Sequence, residues 1–333
     1  MLHIDSFPQL RSNMVAEQHI FKRSCKLMGN HFELSVVATN QTWANQMIDA
    51  GIAEIQRIER LLTTFSNDSE TNRINQNAGI GPVAVSRETF NLIKRSIAIS
   101  RVTQGAFDIT YGSIDKRLWN FDQSMTSLPD AQTARQMVRL INYQNIILAD
   151  DACTVFLRET GMRIGFGGIG KGYAAEQAKR IMVQLGVKSG VVNASGDLTA
   201  WGVQPNGSKW TLGIADPDRA QQVFSYMNVT GLAVATSGNY EKFVMIDGKK
   251  YSHTINPRTG LPVTGIKSVT IITTNAEIAD AMATPVTVMG IHAGLNLINQ
   301  MKDIEAIIVD DDNRLYTSNN INVITPKPHE TTA

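Results

Sequence analysis

The chain has 333 residues with 43% apolar content, enough to bury one large core or two lobes of ordinary size. Its 31 Lys plus Arg against 30 Asp plus Glu leave a formal charge of +1, so neither a nucleic-acid partner nor an anionic membrane surface has electrostatic support. The two cysteines, Cys25 and Cys153, are too few and too far apart for a disulfide-stapled domain.

Asp5, Pro8, Gln9, Arg11 and Glu17 interrupt the N-terminal stretch 1–22, which excludes a signal h-region or a membrane span there. Lys22, Arg23 and Ser24 before Cys25 are also wrong for a lipid-anchor cysteine. As written, the chain is expected in the cytoplasm, with export the alternative if the N-terminus is incomplete. Residues 1–25 read as an extension, 26–325 as the functional unit and 326–333 as a disordered tail.

Over 31–38, Phe32, Leu34 and Val36 share one side at period two, predicting a strand with one buried face. Over 44–62, Met47, Ile48, Ile52, Ile55, Ile58 and Leu61 recur at helical spacing, predicting a core-packing helix. A polar loop over 66–81 leads to a helix from Ser86 to a glycine stop at Gly105. A third helix is predicted near 130–140 and a hairpin over 145–157. The second half opens with a short strand at 162–166, the turn GFGGIGKG (165–172) and a helix over 171–185. Short β-rich runs follow at 187–194, 210–215, 231–235, 243–246 and 268–274, then helices near 276–288 and 292–300 and a strand at 305–309. Strands and helices fall into runs without βαβ alternation, which predicts an α+β fold. The expectation is one two-lobed unit of largely antiparallel sheets flanked by helices, with a ligand cleft between lobes and a composition shift near Gly161 as the place for a subdomain boundary.

Gly165, Gly167 and Gly170 satisfy GxGxxG literally. A Rossmann unit, however, needs an acid roughly twenty positions on, and Asp197 comes too late and inside its own turn. A Walker A loop is excluded as well, because Lys171 is followed by Gly172 in place of Ser or Thr. What remains is backbone that a ligand can approach closely, free N–H groups at a helix N-terminus, and the Lys171 charge, a combination suited to phosphate. A tight turn that needs glycine only for its angles is the plainer alternative.

Asp280 and Thr284 stand four residues apart on one helical face, among Ala279, Met282 and Val286. A carboxylate in such company is costly unless paired or metal-bound. Pro285 removes the N–H that would reach the Ala281 carbonyl, so a kink is expected at this face. A carboxylate, a hydroxyl and a freed carbonyl suit Mg²⁺, which completes its octahedron with water and phosphate. The alternative is a dipole-stabilised Asp with a back-bonding Thr. Two polar stretches, 236–241 and 253–260, read first as loops. In the second, His253 is a candidate general base or phosphate ligand, and Arg258 either holds a phosphate or braces the loop.

Together and in this order, these segments resemble the FAD:protein FMN transferases, the ApbE-type flavin transferases. The resemblance rests on Leu27-Met28-Gly29, TFSNDSE (64–70) with Arg73 and Asn75, GAFDIT (105–110), the glycine turn, NASGD (193–197), TSG (236–238), the turn 253–260 and ADAMAT (279–284), and spans about 28–290. It implies FAD as substrate in a cleft and Mg²⁺ held by the side chains of Asp280 and Thr284 and the main-chain carbonyl of Gly170. Met28 and Phe65 would flank the flavin or nucleotide. Ala106, Phe107 and Asp108 would line it, and Gly167 and Tyr173 would contact it from the turn, beside Lys171. The implied reaction is attack by a Ser or Thr hydroxyl of an acceptor flavoprotein on the FMN phosphorus of FAD, with AMP leaving. His253 matches a histidine given base or phosphate-binding work, and Asp280 acts through the metal. The sequence departs from the family pattern at Gly165 and Asn256, where acids are common, and more mildly at Gly170, Ser195 and Pro285. FAD hydrolysis to FMN and AMP at the same metal is an alternative the sequence does not separate. The two lost acids leave a non-catalytic flavin-binding protein as a third reading.

Overall fold

The structure, a computed structural model, describes residues 17–115, 117, 127–216, 219–238, 243–246, 248–252 and 254–321. A hairpin of β1 (His19–Leu27) and β2 (Asn30–Ala38) is followed by α1 (Gln41–Leu62), α2 (Glu70–Gln76), β3 (Val83–Ala84) and α3 (Arg87–Val102). After a 3₁₀ turn at Ile109–Ser113 come α4 (Ala131–Met137), β4 (Ile146–Ala149) and β5 (Thr154–Leu157). Helix α5 (Gly170–Gln184) leads into β6 (Gly190–Ala194), β7 (Asp197–Trp201), β8 (Thr211–Asp216), β9 (Arg219–Asn228) and β10 (Ala233–Gly238). The remaining elements are β11 (Phe243–Ile246), β12 (Lys249–Ser252), β13 (Ile266–Thr273), α6 (Ala276–Met289), α7 (Ile291–Ile298), β14 (Ile304–Asp310) and β15 (Leu315–Thr317).

The main sheet has the order β1-β2-β6-β7-β10-β13-β14-β15, and every neighbouring pair is antiparallel. The period-two pattern in β2 sends Phe32, Leu34 and Val36 to one face, where they join Ala44, Ile48, Ile55 and Ile58 of α1 and the apolar sides of α5 and α6. On the other face Val37, Leu198, Val234, Ile272 and Ile307 pack with Trp210 and Val229. The larger core runs continuously from Leu27 to Ile308 and includes Val155, Leu157, Met162 and Ile164, so buried packing crosses the composition shift at Gly161. The α+β expectation with antiparallel sheets holds.

Four local expectations are corrected. Strand β1 begins at His19, inside the stretch read as an extension, and its charged, half-exposed sequence HIFKRSCKL hides it because it is an edge strand. Helix α2 lies in the predicted polar loop. It carries a Ser69 cap that accepts from Asn72 N, but only one large apolar residue, Ile74. The segment 162–166 is no strand. Asn75 bonds both the N–H (2.7 Å) and the C=O (3.0 Å) of Ile164, Ser113 Oγ does the same for Arg163 (2.8 and 3.0 Å), and Gly165 N–H reaches the Ile109 carbonyl. Strand β10 runs on to Gly238, so 236–238, read first as loop, pairs with β13, while α6 carries Pro285 in its interior as one helix to Met289. Residues 326–333 lie outside the described residues. Among the described residues no helix is long and apolar enough to cross a membrane.

Candidate active site

The site forms where α5 crosses α6. A Cβ on Gly172 would lie 2.1 Å from the Ala276 carbonyl oxygen and 2.7 Å from Asp280 Cβ, so the two helices meet backbone to backbone only because residue 172 is glycine. The contact delivers Asp280 to the N-terminus of α5, where Gly172 N–H donates to Asp280 Oδ2 at 2.9 Å. Lys171 Nζ lies 3.4 Å from Asp280 Oδ1 and 3.0 Å from Oδ2 of Asp197, the first residue of β7. Asp197 Oδ1 accepts from Thr236 N–H at 3.3 Å.

Both acids are only 5% exposed. Two buried carboxyl groups share one ammonium, so with both ionised the cluster is one positive charge short, and an added cation favours that ionised state. Burial first, and then the Asp280 charge, pushes the Asp197 carboxyl well above the usual carboxylate range. For Lys171 burial works against the charge, but Asp280 and Asp197 outweigh it and hold the ammonium above the ordinary lysine range. One turn beyond Asp280, the half-buried Thr284 hydroxyl has no hydrogen-bond partner among the described residues, whereas Thr287 back-bonds to the Ala283 carbonyl at 3.1 Å. Pro285 leaves the Ala281 carbonyl without its helical donor. These donors are all oxygens, and the chemistry fits Mg²⁺. Gly170 is the first residue of α5.

The glycine turn is ringed by side chains that the sequence places far apart. Positions for a Cβ on Gly170, Gly168 and Gly165 lie 3.5 Å from Met28 Cε, 3.6 Å from Phe107 Cε2 and 3.9 Å from Thr64 Cγ2. At Gly167 a Cβ would meet nothing within 4 Å. Next to Thr64, Phe65 is 98% exposed, yet its backbone is pinned. Asn72 Nδ2 donates to the carbonyls of both Thr64 (2.8 Å) and Ser66 (2.7 Å), and Phe65 N–H donates to Thr63 Oγ1. Ala106 is half-buried and Phe107 buried.

Asp108 is already engaged: Oδ1 accepts from Thr110 N–H (2.8 Å) and Oγ1–H (2.6 Å), and Oδ2 from Tyr143 N–H (2.8 Å). It borders a cavity of about 390 Å³ with Arg101, Gly105, Tyr143 and Arg258, and Arg258 also donates to the Gln104 carbonyl. Tyr173 is buried, with its hydroxyl donating to Glu88 Oε1 at 2.6 Å and the Arg95 guanidinium over its ring. His253 lies outside the described residues.

The family model for the ApbE family matches residues 28–308, which span this site from Met28 to Thr284. The chain belongs to the ApbE family. The FAD:protein FMN transferase of Klebsiella pneumoniae strain 342 is 32% identical over 297 residues, covering 89% of this chain and 90% of that one. Among solved structures, the ApbE protein of Thermotoga maritima matches with a TM-score of 0.80 at 29% identity, covering 90% of this chain and 97% of its own. The flavinyl transferase ApbE of Pseudomonas stutzeri matches with a TM-score of 0.79 at 25% identity, covering 91% and 95%.

Two features of this ApbE-family site escape the sequence reading. Asp197 is dismissed there as a Rossmann acid, although a charge beside Leu198, Ala200 and Trp201 in the run DLTAW signals a buried partner. The second is a polar chain behind Tyr173. Arg57 pairs with Glu54 and Glu88, Glu88 accepts from Tyr173, and Arg95 pairs with buried Glu277 at 2.6 Å, which ties α1, α3, α5 and α6 together one turn before Asp280.

Proposed function

We propose that this protein transfers FMN from FAD to a Ser or Thr hydroxyl of an acceptor protein, with Mg²⁺ held by Asp280, Thr284 and the Gly170 carbonyl. The observation that carries this reading is the buried Asp280 carboxylate, fixed at the α5 N-terminus beside Lys171 and one turn from a Thr284 hydroxyl that has no hydrogen-bond partner among the described residues. The relatives named as FAD:protein FMN transferases support it. Bound Mg²⁺ would neutralise pyrophosphate charge and favour in-line displacement.

The chain's own residues do the rest. Lys171 and the α5 N-terminus supply fixed positive potential for the pyrophosphate. Met28 and Phe65 offer apolar surface to the ring systems, with Ala106, Asp108 and Gly167 shaping the walls and buried Phe107 and Tyr173 packing behind them. The acceptor oxygen bonds to the FMN phosphorus as the bond to the AMP oxygen breaks. His253 takes the hydroxyl proton, which contributes about two to four powers of ten.

The test is incubation with FAD and Mg²⁺, with and without a candidate acceptor flavoprotein, following AMP release and in-gel flavin fluorescence. Acceptor-dependent AMP with a fluorescent acceptor band is the expected result. AMP without acceptor would establish hydrolysis in its place, and no AMP under either condition would overturn both enzymatic readings.

A further inference from the structure

Lys171 is not centred between its two carboxylates. Its ion pair with Asp197 is the shorter, 3.0 Å against 3.4 Å, while the contact with Asp280 Oδ1 is a long hydrogen bond. A tethered ammonium beside Asp280 competes for the oxygen that a divalent cation would need. We propose that Asp197 is a positioning residue of this site, holding the Lys171 ammonium off Asp280 so that Asp280 Oδ1 can take a divalent cation. The inference rests on the reading of Asp280 as a metal ligand.

Both acids are built to stay still. Asp197 opens β7 opposite Ala194 across a tight turn, is 5% exposed, and its Oδ1 accepts a long bond of 3.3 Å from Thr236 N–H on β10. Asp280 Oδ2 is tied to Gly172 N–H. Helix α6 itself is clamped, because Glu176 accepts from Ala276 N–H at 3.0 Å and Arg95 grips Glu277. Each carboxylate therefore has one oxygen toward a main-chain donor, closely in Asp280 and loosely in Asp197, and the other facing Lys171. The flexible member of the three is the lysine, a compact charge on a four-carbon stem. A cation arriving at Asp280 repels the ammonium, and Asp197 keeps it paired without returning it to water. Were Asp197 neutral, Asp280 would be the lysine's remaining anionic partner.

The probe is Mn²⁺ alone, without flavin, titrated into the purified protein and followed by the electron paramagnetic resonance signal of free Mn²⁺. Thermal melting checks that each variant is folded. Asp197→Asn should weaken Mn²⁺ binding about tenfold, the scale seen when a metal ligand loses its supporting partner. In a Lys171→Met background the same substitution should change affinity by less than about twofold, because the effect passes through the lysine. Equal losses in both backgrounds, or no loss in the wild-type background, overturn the positioning role. Asp197→Ser serves the same comparison should the Asn variant not fold. Wild-type Mn²⁺ affinity in Asp280→Ala would overturn the metal reading itself, a result distinct from failure of the role assigned to Asp197.

Discussion

Gly172→Ala tests the helix crossing that brings Asp280 into place. On the present backbone the new methyl carbon would lie 2.1 Å from the Ala276 carbonyl oxygen, whereas carbon and oxygen rest at roughly 3.3 Å. Helices α5 and α6 must then part by about 1.2 Å, the difference of those two distances, since neither main chain can rotate aside. Overpacking of this kind costs about 1–3 kcal/mol. The helix preference of alanine over glycine returns about 1 kcal/mol, so with the steric cost at its upper end the variant should lose about 2 kcal/mol and melt roughly 4–6 °C lower. The functional cost is larger. The 2.9 Å bond from Gly172 N–H to Asp280 would open to about 4.1 Å, beyond hydrogen-bonding range, and a 1 Å displacement at a reacting centre can cost about a hundredfold in rate. Melting followed by dye fluorescence, and FMN transfer followed by in-gel fluorescence, read the two effects. A Gly172→Ala protein that melts with the wild type and transfers FMN at the full rate would refute the close-contact argument.

Thr284→Val removes a hydroxyl with no partner among the described residues, so Mn²⁺ affinity should drop about tenfold with little change in melting; unchanged affinity would return Thr284 to a packing role. Asn75→Ala strips both partners from Ile164 in the core and should cost about 2–4 kcal/mol in urea unfolding, the loss for two buried polar groups left unpaired. A cost well under that range would mean that water or a shifted backbone replaces the amide. Glu88 titrates below the ordinary glutamate range chiefly because Arg57 bonds it, with Tyr173 adding to the effect. A depressed folded value means stability that is present above the unfolded carboxyl range and lost as pH falls toward the folded one. Melting curves from about pH 7 to 3 should fall at the acid end in the wild type, and Glu88→Gln should start lower and fall less. Parallel curves would count against the pairing.

Periodicity made α1 and β2 legible, because a single buried face selects one residue in two or in 3.6. It could not reveal β1, whose outer edge meets solvent, nor α2, where capping by Ser69 replaces an apolar stripe. The alternation of Met162, Ile164 and Phe166 imitates a strand, while the partners that satisfy it, Asn75 and Ser113, come from elsewhere in the chain. At the site, the spacing of Asp280 and Thr284 was readable because both lie on one helix. Asp197 was not, since its part depends on β7 meeting α5. The resemblance singled out Asp108, but nothing in the sequence showed that Thr110 and Tyr143 take its oxygens.

Phe65 stands in water with its backbone already ordered by Asn72 and Thr63. A ligand ring that covers it need not freeze a loop, so most of the gain from burying a phenylalanine, roughly 1.5–3 kcal/mol, survives as affinity. Such an encounter leaves a calorimetric mark: a negative heat-capacity change on binding that shrinks in Phe65→Ala, without the large ordering entropy of a loop that folds around its guest.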